Sequence, residues 1–372
     1  MVPPYDKPRG VRFFSAQSPW NRPIPRDARV HPLSGQYIQR NLVAIDTKLQ
    51  LNMDAWTMPV YFVDASTPVV DVECIYAKSH GDRPSFVDKS GKSWIVHTPQ
   101  GVILKDVPIP PGALPDIAIS LRPEINADAH LCIVDVQRRL EWDFCWMAKR
   151  DGRWIAGQGI VFDLDGDGVP PHYVGSGRAS GFPLTAGLIF KDEIEAGVIE
   201  HPLVFAFPNP GQGHVYPPAT CSDGPQPTEQ YGLPEGALVQ LDPTVDVDSL
   251  DLDRAGKTIA RALQKYGMYC GDGAGGMPVY AEGFPFVEPD PWKGLMHPDS
   301  PVGVPVERLR VIDWGDRMFA ERPKPHDERY YVVQDRHFPD VSLFPPLEGD
   351  DRRRVLGPLN AYRARYHLPP VS

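Results

Sequence analysis

Proline punctuates this chain too often for any fold built on long helices. There are 43 in 372 residues, about one in every nine, from Pro3 to Pro370. A proline inside a helix removes a backbone donor and clashes with the turn before it, at about 3 kcal/mol. The chain is therefore expected to be mainly β, an antiparallel β-sandwich or jelly-roll-like domain with a few short helices and long Pro-rich ordered loops. The runs between prolines agree. MPVYFVDA (58–65), VVDVECIYA (69–77), SWIVHTP (93–99), GVILKDVPIP (101–110), HPLVFAF (201–207), GALVQLDP (236–243), MPVYAE (277–282), RLRVIDW (308–314) and RYYVVQD (329–335) are short, β-branched or aromatic, and bounded by turn formers.

Helices are expected in three places besides a short one in QYIQRNLVAI: one turn at Lys191–Ala196, a helix capped by Ser249, Asp251 or Asp253 and stopped by Gly267, and a final helix in VLGPLNAYRARY. The organisation expected is an extended arm over 1–36, a β-rich catalytic or binding domain over 37–315, and a wrapping segment over 316–372. The net charge of −10 and the scattered basic residues argue against nucleic acid as a partner. No apolar run reaches the length of a membrane span, so membrane insertion is not expected. The first residues, MVPPYDKPRGVRFF, show no apolar core of a signal peptide.

The most chemically suggestive stretch is HLCIVDVQRRLEWDFCWM (130–147). It reads as a β-hairpin turning at Arg138–Arg139, with Val136 opposite Glu141, Val134 opposite Asp143 and Cys132 opposite Cys145. Alternation puts Glu141 and Asp143 on one face and Trp142, Phe144 and Trp146 on the other, which is the core face. The acidic face is expected to line a solvent-filled trough. Two carboxylates so placed suit glycoside hydrolysis, one protonating the leaving oxygen and the other acting on the anomeric carbon. Cys132 and Cys145 either close a cross-strand disulfide or pack as two buried thiols.

Three further groups carry possible chemistry. In FDLDGDG, Asp163, Asp165 and Asp167 alternate before Gly168, like the first half of an oxygen-ligand Ca²⁺ loop, or an acidic turn. The central set Arg178, Glu193, His201, His214, Tyr216 and Asp223 could support β-elimination on a uronic-acid polymer, with Arg178 neutralising the carboxylate and a His or Tyr moving the proton. Asp272, in CGDG after the third helix, lies where catalytic residues often sit. No nucleophile elbow, zincin motif or dinucleotide fingerprint is present.

The segments GSGRASGFPLTAGLI (175–189), Glu193, GVIEHPLVFAF, YPPATCSDG, LPEGALVQLDPTVDVDSLDLD, ARALQKYG and Asp272, with VYFVDASTP and EWDF upstream, resemble a family of exported proteins of actinobacteria and other bacteria over residues 15–315. That resemblance implies a secreted or extracellular setting and polymer turnover, a cytoplasmic one being the alternative that the missing leader leaves open. EWDF is also partly similar to the acidic strand of laminarinase-type glycosidases, but Trp146 stands where their third acid would be. The expected function is a carbohydrate-active enzyme, a glycoside hydrolase acting on a polysaccharide or oligosaccharide. The alternatives are a polysaccharide lyase and a non-catalytic glycan-binding surface protein.

Overall fold

The computed structural model describes residues 6–53, 56–74, 95–98, 101–116, 128–170, 172, 175–208, 210–224, 232–284, 287, 290–319, 349–365 and 369–370. The fold is mainly β, as its proline content requires. A six-stranded sheet runs β1 (Leu49–Asn52), β16 (Met277–Tyr280), β11 (Leu203–Phe207), β15 (Met268–Gly273), β14 (Leu238–Leu241), β17 (Leu309–Val311). A four-stranded sheet runs β10 (Gln158–Asp163), β7 (Leu140–Cys145), β6 (Leu131–Asp135), β2 (Val60–Val63). Five strands follow the order β4 (Ile95–Thr98), β5 (Gly101–Pro108), β3 (Val69–Cys74), β9 (Arg153–Ala156), β8 (Ala148–Arg150), and three the order β13 (Leu233–Glu235), β12 (Pro210–Val215), β18 (Met318–Phe319).

The expected antiparallel sandwich or jelly roll is corrected to a set of mixed sheets. β1/β16, β11/β15, β2/β6, β3/β9 and β12/β13 are parallel pairs. Parallel neighbours need crossovers much longer than a hairpin turn, and the long Pro-rich loops provide them. The expected single strand over 152–164 is two strands in different sheets, because the chain breaks at Gly157. A Cβ there would lie 2.1 Å from the Trp146 ring. The run RYYVVQD falls outside the described residues.

The helices are short, apart from the last. α1 (Ser34–Ile38) continues into a π-helical turn over Gln39–Val43. α2 (Lys191–Ala196) ends on Gly197 in the left-handed region. α3 (Arg254–Lys265) is capped by Asp253, whose Oδ1 accepts the Gly256 N–H at 2.6 Å. α4 (Gly349–Arg365) tolerates Pro358. Among the described residues no helix is long and apolar enough to cross a membrane.

Both faces of the two central sheets are buried, which is why their strands read as nearly continuous apolar runs. On one side Tyr61, Ile133, Trp142, Phe144, Phe205, Cys270 and Val279 join the larger core, covered in part by Ile259 and Leu263 of α3. On the other side Phe62, Cys132, Val134, Val204, Ala206, Tyr269 and Tyr280 join a smaller core with Phe14 and Trp20 of the N-terminal arm. The segment 176–190 threads this second layer, contributing Phe182, Leu184, Ala186, Leu188 and Phe190.

Gly187 shows how tightly that segment is laid down. Its φ is +68°, and a Cβ would stand 2.7 Å from the Val204 backbone nitrogen and 2.8 Å from the Leu203 carbonyl carbon. Backbone cannot yield as a side-chain tip would. Gly187→Ala is expected to destabilise by about 2 kcal/mol or more. Gly35→Ala, in α1 with open space around the site, should shift stability by no more than about 1 kcal/mol. Urea denaturation of both variants checks the contrast.

Candidate active site

The expected hairpin forms, with its register moved by two residues. Val134 faces Glu141 and Cys132 faces Asp143. The turn is longer than Arg138–Arg139, because Asp135 Oδ1 accepts the N–H groups of both Gln137 (2.9 Å) and Arg138 (2.7 Å). Cys132 and Cys145 are therefore not opposite each other, and all five cysteines are free thiols. The face assignment of Glu141 and Asp143 holds, since a shift of two preserves alternation. Trp142 and Phe144 do point into the larger core. Trp146 does not follow them. Its φ of +52° ends the strand, and the ring lies half-buried across Gly157.

The expected solvent trough is closed. Glu141 and Asp143 are each 0% exposed, because residues 184 and 185 of the threading segment lie directly on them. Asp143 Oδ2 accepts the Leu184 N–H at 2.7 Å. Glu141 Oε1 accepts the Thr185 N–H at 3.1 Å and Oε2 the Thr185 hydroxyl at 2.5 Å. Burial pushes both carboxyls up, Asp143 further because the Glu141 charge adds to it. A substrate cannot reach this pair as it stands, so the catalytic role expected for it gives way to a structural one.

Arg178 lies behind the same segment, 2% exposed, donating to the carbonyls of Ala186 (3.1 Å) and Leu184 (3.2 Å). Its guanidinium sits 4.7 Å from the centre of the Tyr280 ring and in the field of Glu141, Asp143 and Asp272. It thus bridges the sealed pair to a second acidic group, which does open to solvent. Asp128, just before β6, and Asp272, in β15, are half-buried. Asp223, on the loop beside Gly273, is exposed. Glu235, at the end of β13, is 0% exposed, with its carboxyl against that of Asp223.

A β-bulge aims Asp272 at this group. Between β11 and β15, Phe205 pairs with Cys270 but Ala206 pairs with Asp272, so Gly271 is the extra residue. Phe205 and Cys270 face the larger core, and Ala206 faces the smaller one. Without the bulge, Asp272 would follow Cys270 into the larger core; with it, the carboxyl turns to the polar seam. Burial pushes the Asp272 carboxyl well above the usual range, and the charges of Asp223 and Asp128 push the same way. Burial, with Asp223, raises Asp128 to about 6. Burial also raises Glu235 strongly, again with Asp223 and Asp272 adding to it.

The β-elimination set does not assemble. His201 Nε2 faces Glu193 Oε1 at 3.1 Å and its Nδ1 the Pro202 carbonyl at 2.8 Å, beside Lys7, on the wall of a pocket under the N-terminal arm. His214 Nε2 meets His172 Nε2 at 2.7 Å, and Tyr216 stacks on His172 at 4.3 Å between ring centres. These rings form a cluster of their own with Phe319, while Arg178 is buried among the acids. The FDLDGDG loop is built as turns. Asp163 Oδ1 accepts the Asp165 N–H, Asp167 Oδ1 the Val169 N–H, and Asp165 pairs with Arg139 at 2.9 Å. Among the described residues, one group of three His, Cys, Asp or Glu side chains brings its ligand atoms within 4.8 Å of one another, and it is Cys132, Glu141 and Asp143 rather than these aspartates.

Asp128, Glu235 and Thr185 were not singled out from the sequence. Asp128 has no motif around it. Glu235 sits in LPEGALV, where a single acid in an apolar run was the available signal. No family model matches the chain, and no curated protein or solved structure proved similar to it.

The raised carboxyls set a pH dependence of stability. Asp128, Glu235 and Asp272 hold protons in the native state that the unfolded chain releases near pH 4. Their contribution is complete below that point and is lost as pH rises through the native values, about 6 for Asp128. The urea midpoint should therefore fall between about pH 5 and about pH 8. Glu235→Gln should flatten this fall, and an unchanged slope in the variant would remove Glu235 from the account.

Proposed function

We propose that the chain is a glycoside hydrolase whose catalytic carboxyls are Asp272 and Asp223, rather than the sealed pair on β7. The observation that carries the reading is the convergence of Asp128, Asp223 and Asp272, from three separate segments, on one spot that solvent reaches. The Asp272 acid form is favoured there by burial and by its neighbours. A glycosidic bond breaks when a protonated carboxyl donates to the leaving oxygen while a second carboxylate acts at the anomeric carbon or on water. Asp272 is the proton donor in this scheme. Asp223, exposed beside it, is the carboxylate. The charge of Asp128, once it ionises above about 6, joins that of Asp223 in disfavouring loss of the Asp272 proton, while the buried Glu235 stays in its neutral form.

The same surplus of negative charge selects the substrate. Uronic-acid polymers would be repelled, so a neutral glycan fits better. Trp146, half-buried and held beside Asp128 by its backbone N–H donating to the Asp128 carbonyl at 2.5 Å, supplies an aromatic plane of the kind sugar rings stack on. The position of Asp272 at the carboxyl end of a strand parallel to its neighbour β11 also supports the reading, since ligands of such sheets gather at those ends.

Reducing-end release from a panel of neutral polysaccharides tests this. Asp272→Asn and Asp223→Asn should each lower turnover by about 10²-fold or more without lowering the melting temperature. Wild-type activity should decline as pH rises and Asp272 loses its proton. Full turnover in both variants, or an unsaturated uronic product instead of reducing ends, would reject the assignment.

A further inference from the structure

The Cys132, Glu141 and Asp143 side chains, sealed beneath residues 184 and 185, suggest a different use from the one their spacing on the strand implied. We propose that they form a structural site for a divalent transition metal such as Zn²⁺, bound through Cys132 Sγ and one oxygen of each carboxylate.

Four observations converge on this. The ligand atoms of the three residues all lie within 4.8 Å of one another. Cys132 Sγ stands 3.8 Å from Glu141 Oε1, a long contact for a thiol hydrogen bond. Two ligands of one tetrahedral zinc, at about 2.3 Å for sulfur and about 2.0 Å for oxygen, are separated by about 3.5 Å. Asp143 faces Cys132 directly across the β6/β7 ladder, is 0% exposed, and its carboxyl lies in hydrogen-bond contact with both Cys132 and Glu141. Outside this group of three, the carboxylates accept from the backbone and hydroxyl of Thr185 and from the Leu184 backbone, in the manner of outer groups that hold metal-bound carboxylates in place.

Charge balance supports the same conclusion. A thiolate and two carboxylates carry three negative charges. A divalent ion and the Arg178 guanidinium, whose field reaches both acids, neutralise them. A buried site of this kind needs that neutrality. The set of one sulfur and two oxygens suits zinc or a neighbouring first-row ion better than Ca²⁺, which takes oxygen ligands alone. Three protein ligands leave one position of a tetrahedral ion for a further donor. Because the place is closed in the folded chain, the ion enters as the chain folds.

The test is to produce the full chain in minimal medium with Co²⁺ replacing Zn²⁺. About one cobalt per chain is expected, with a near-ultraviolet thiolate-to-cobalt charge-transfer band and the visible spectrum of a tetrahedral ion. Cys132→Ser should abolish the charge-transfer band, and Cys270→Ser, which removes another buried thiol, should keep it. Asp143→Asn and Thr185→Val should each weaken retention of cobalt against a chelator by roughly 10-fold or more. If Cys132→Ser does not fold, the last two variants decide the matter. A folded wild-type chain without the band, a band that survives Cys132→Ser, or unaltered cobalt retention in Asp143→Asn would overturn the proposal, leaving three side chains that share protons. None of these outcomes depends on glycosidase activity, so the two proposals fail separately.

Discussion

The fold turns on two backbone N–H groups and one hydroxyl that meet two carboxyls in the interior. Leu184 and Thr185 donate to Asp143 and Glu141. These bonds fasten the segment 176–190 to the four-stranded sheet. The same segment reaches the six-stranded sheet, where the Gly187 carbonyl accepts the Val204 N–H at 3.2 Å and the Ile189 N–H donates to Tyr280. The small residues of GSGRASGFPLTAGLI let the backbone approach both sheets closely. Buried carboxyls are expensive unless hydrogen-bonded, so a change that displaces residues 184 and 185 leaves two acids without partners at once.

Everything polar in the interior follows from that placement. Arg178 is held by carbonyls of the segment it belongs to, and so lies between the sealed acids and the open ones. His130 donates from Nε2 to the Gly177 carbonyl at 2.8 Å, and burial drops its own proton affinity to about 4, so it is a neutral anchor for the start of the segment. At the far side Thr220 N–H and the Cys221 thiol donate to Ser180 and Ala179, which brings the loop carrying Asp223 alongside. The acids then grade from exposed Asp223 to buried Glu235. One charged group shared between a sealed cluster and a solvent-reaching one ties the stability of the core to the chemistry of the surface.

Much of this architecture was legible in residue patterns, and the failures have identifiable causes. Short β-branched runs located strands such as β2, β11 and β16, and Asp253 and Gly267 bracketed α3, because alternation and capping are local. Glu141 and Asp143 were rightly placed on one face. Their exposure was misjudged, because what covers a sheet is decided by a segment more than 40 residues away and carries no local mark. The pairing of Cys132 was misjudged because Asp135 lengthened the turn. Parallel pairing was hidden, since a strand buried on both faces looks alike with either neighbour direction. Asp272 was noticed for its loop-like context, whereas Asp128 and Glu235 become visible only when three separate segments converge.

The bulge at Gly271 has a consequence of a different order. Two residues of β15, Gly271 and Asp272, answer the single step from Phe205 to Ala206 on β11, and that mismatch sets how the carboxyl at 272 meets its fellow acids. Taking out Gly271 would leave the aspartate opposite Ala206, on the side of the sheet it already occupies, but would straighten β15 and remove the bend and extra twist that the bulge gives it. Gly271 is held to its own identity as well, because a Cβ there would lie 2.6 Å from Val204 Cγ1 and 3.1 Å from the Phe182 ring, so this short stretch should resist both a change of length and a larger residue at 271, a pattern opposite to that of the surface loops around it.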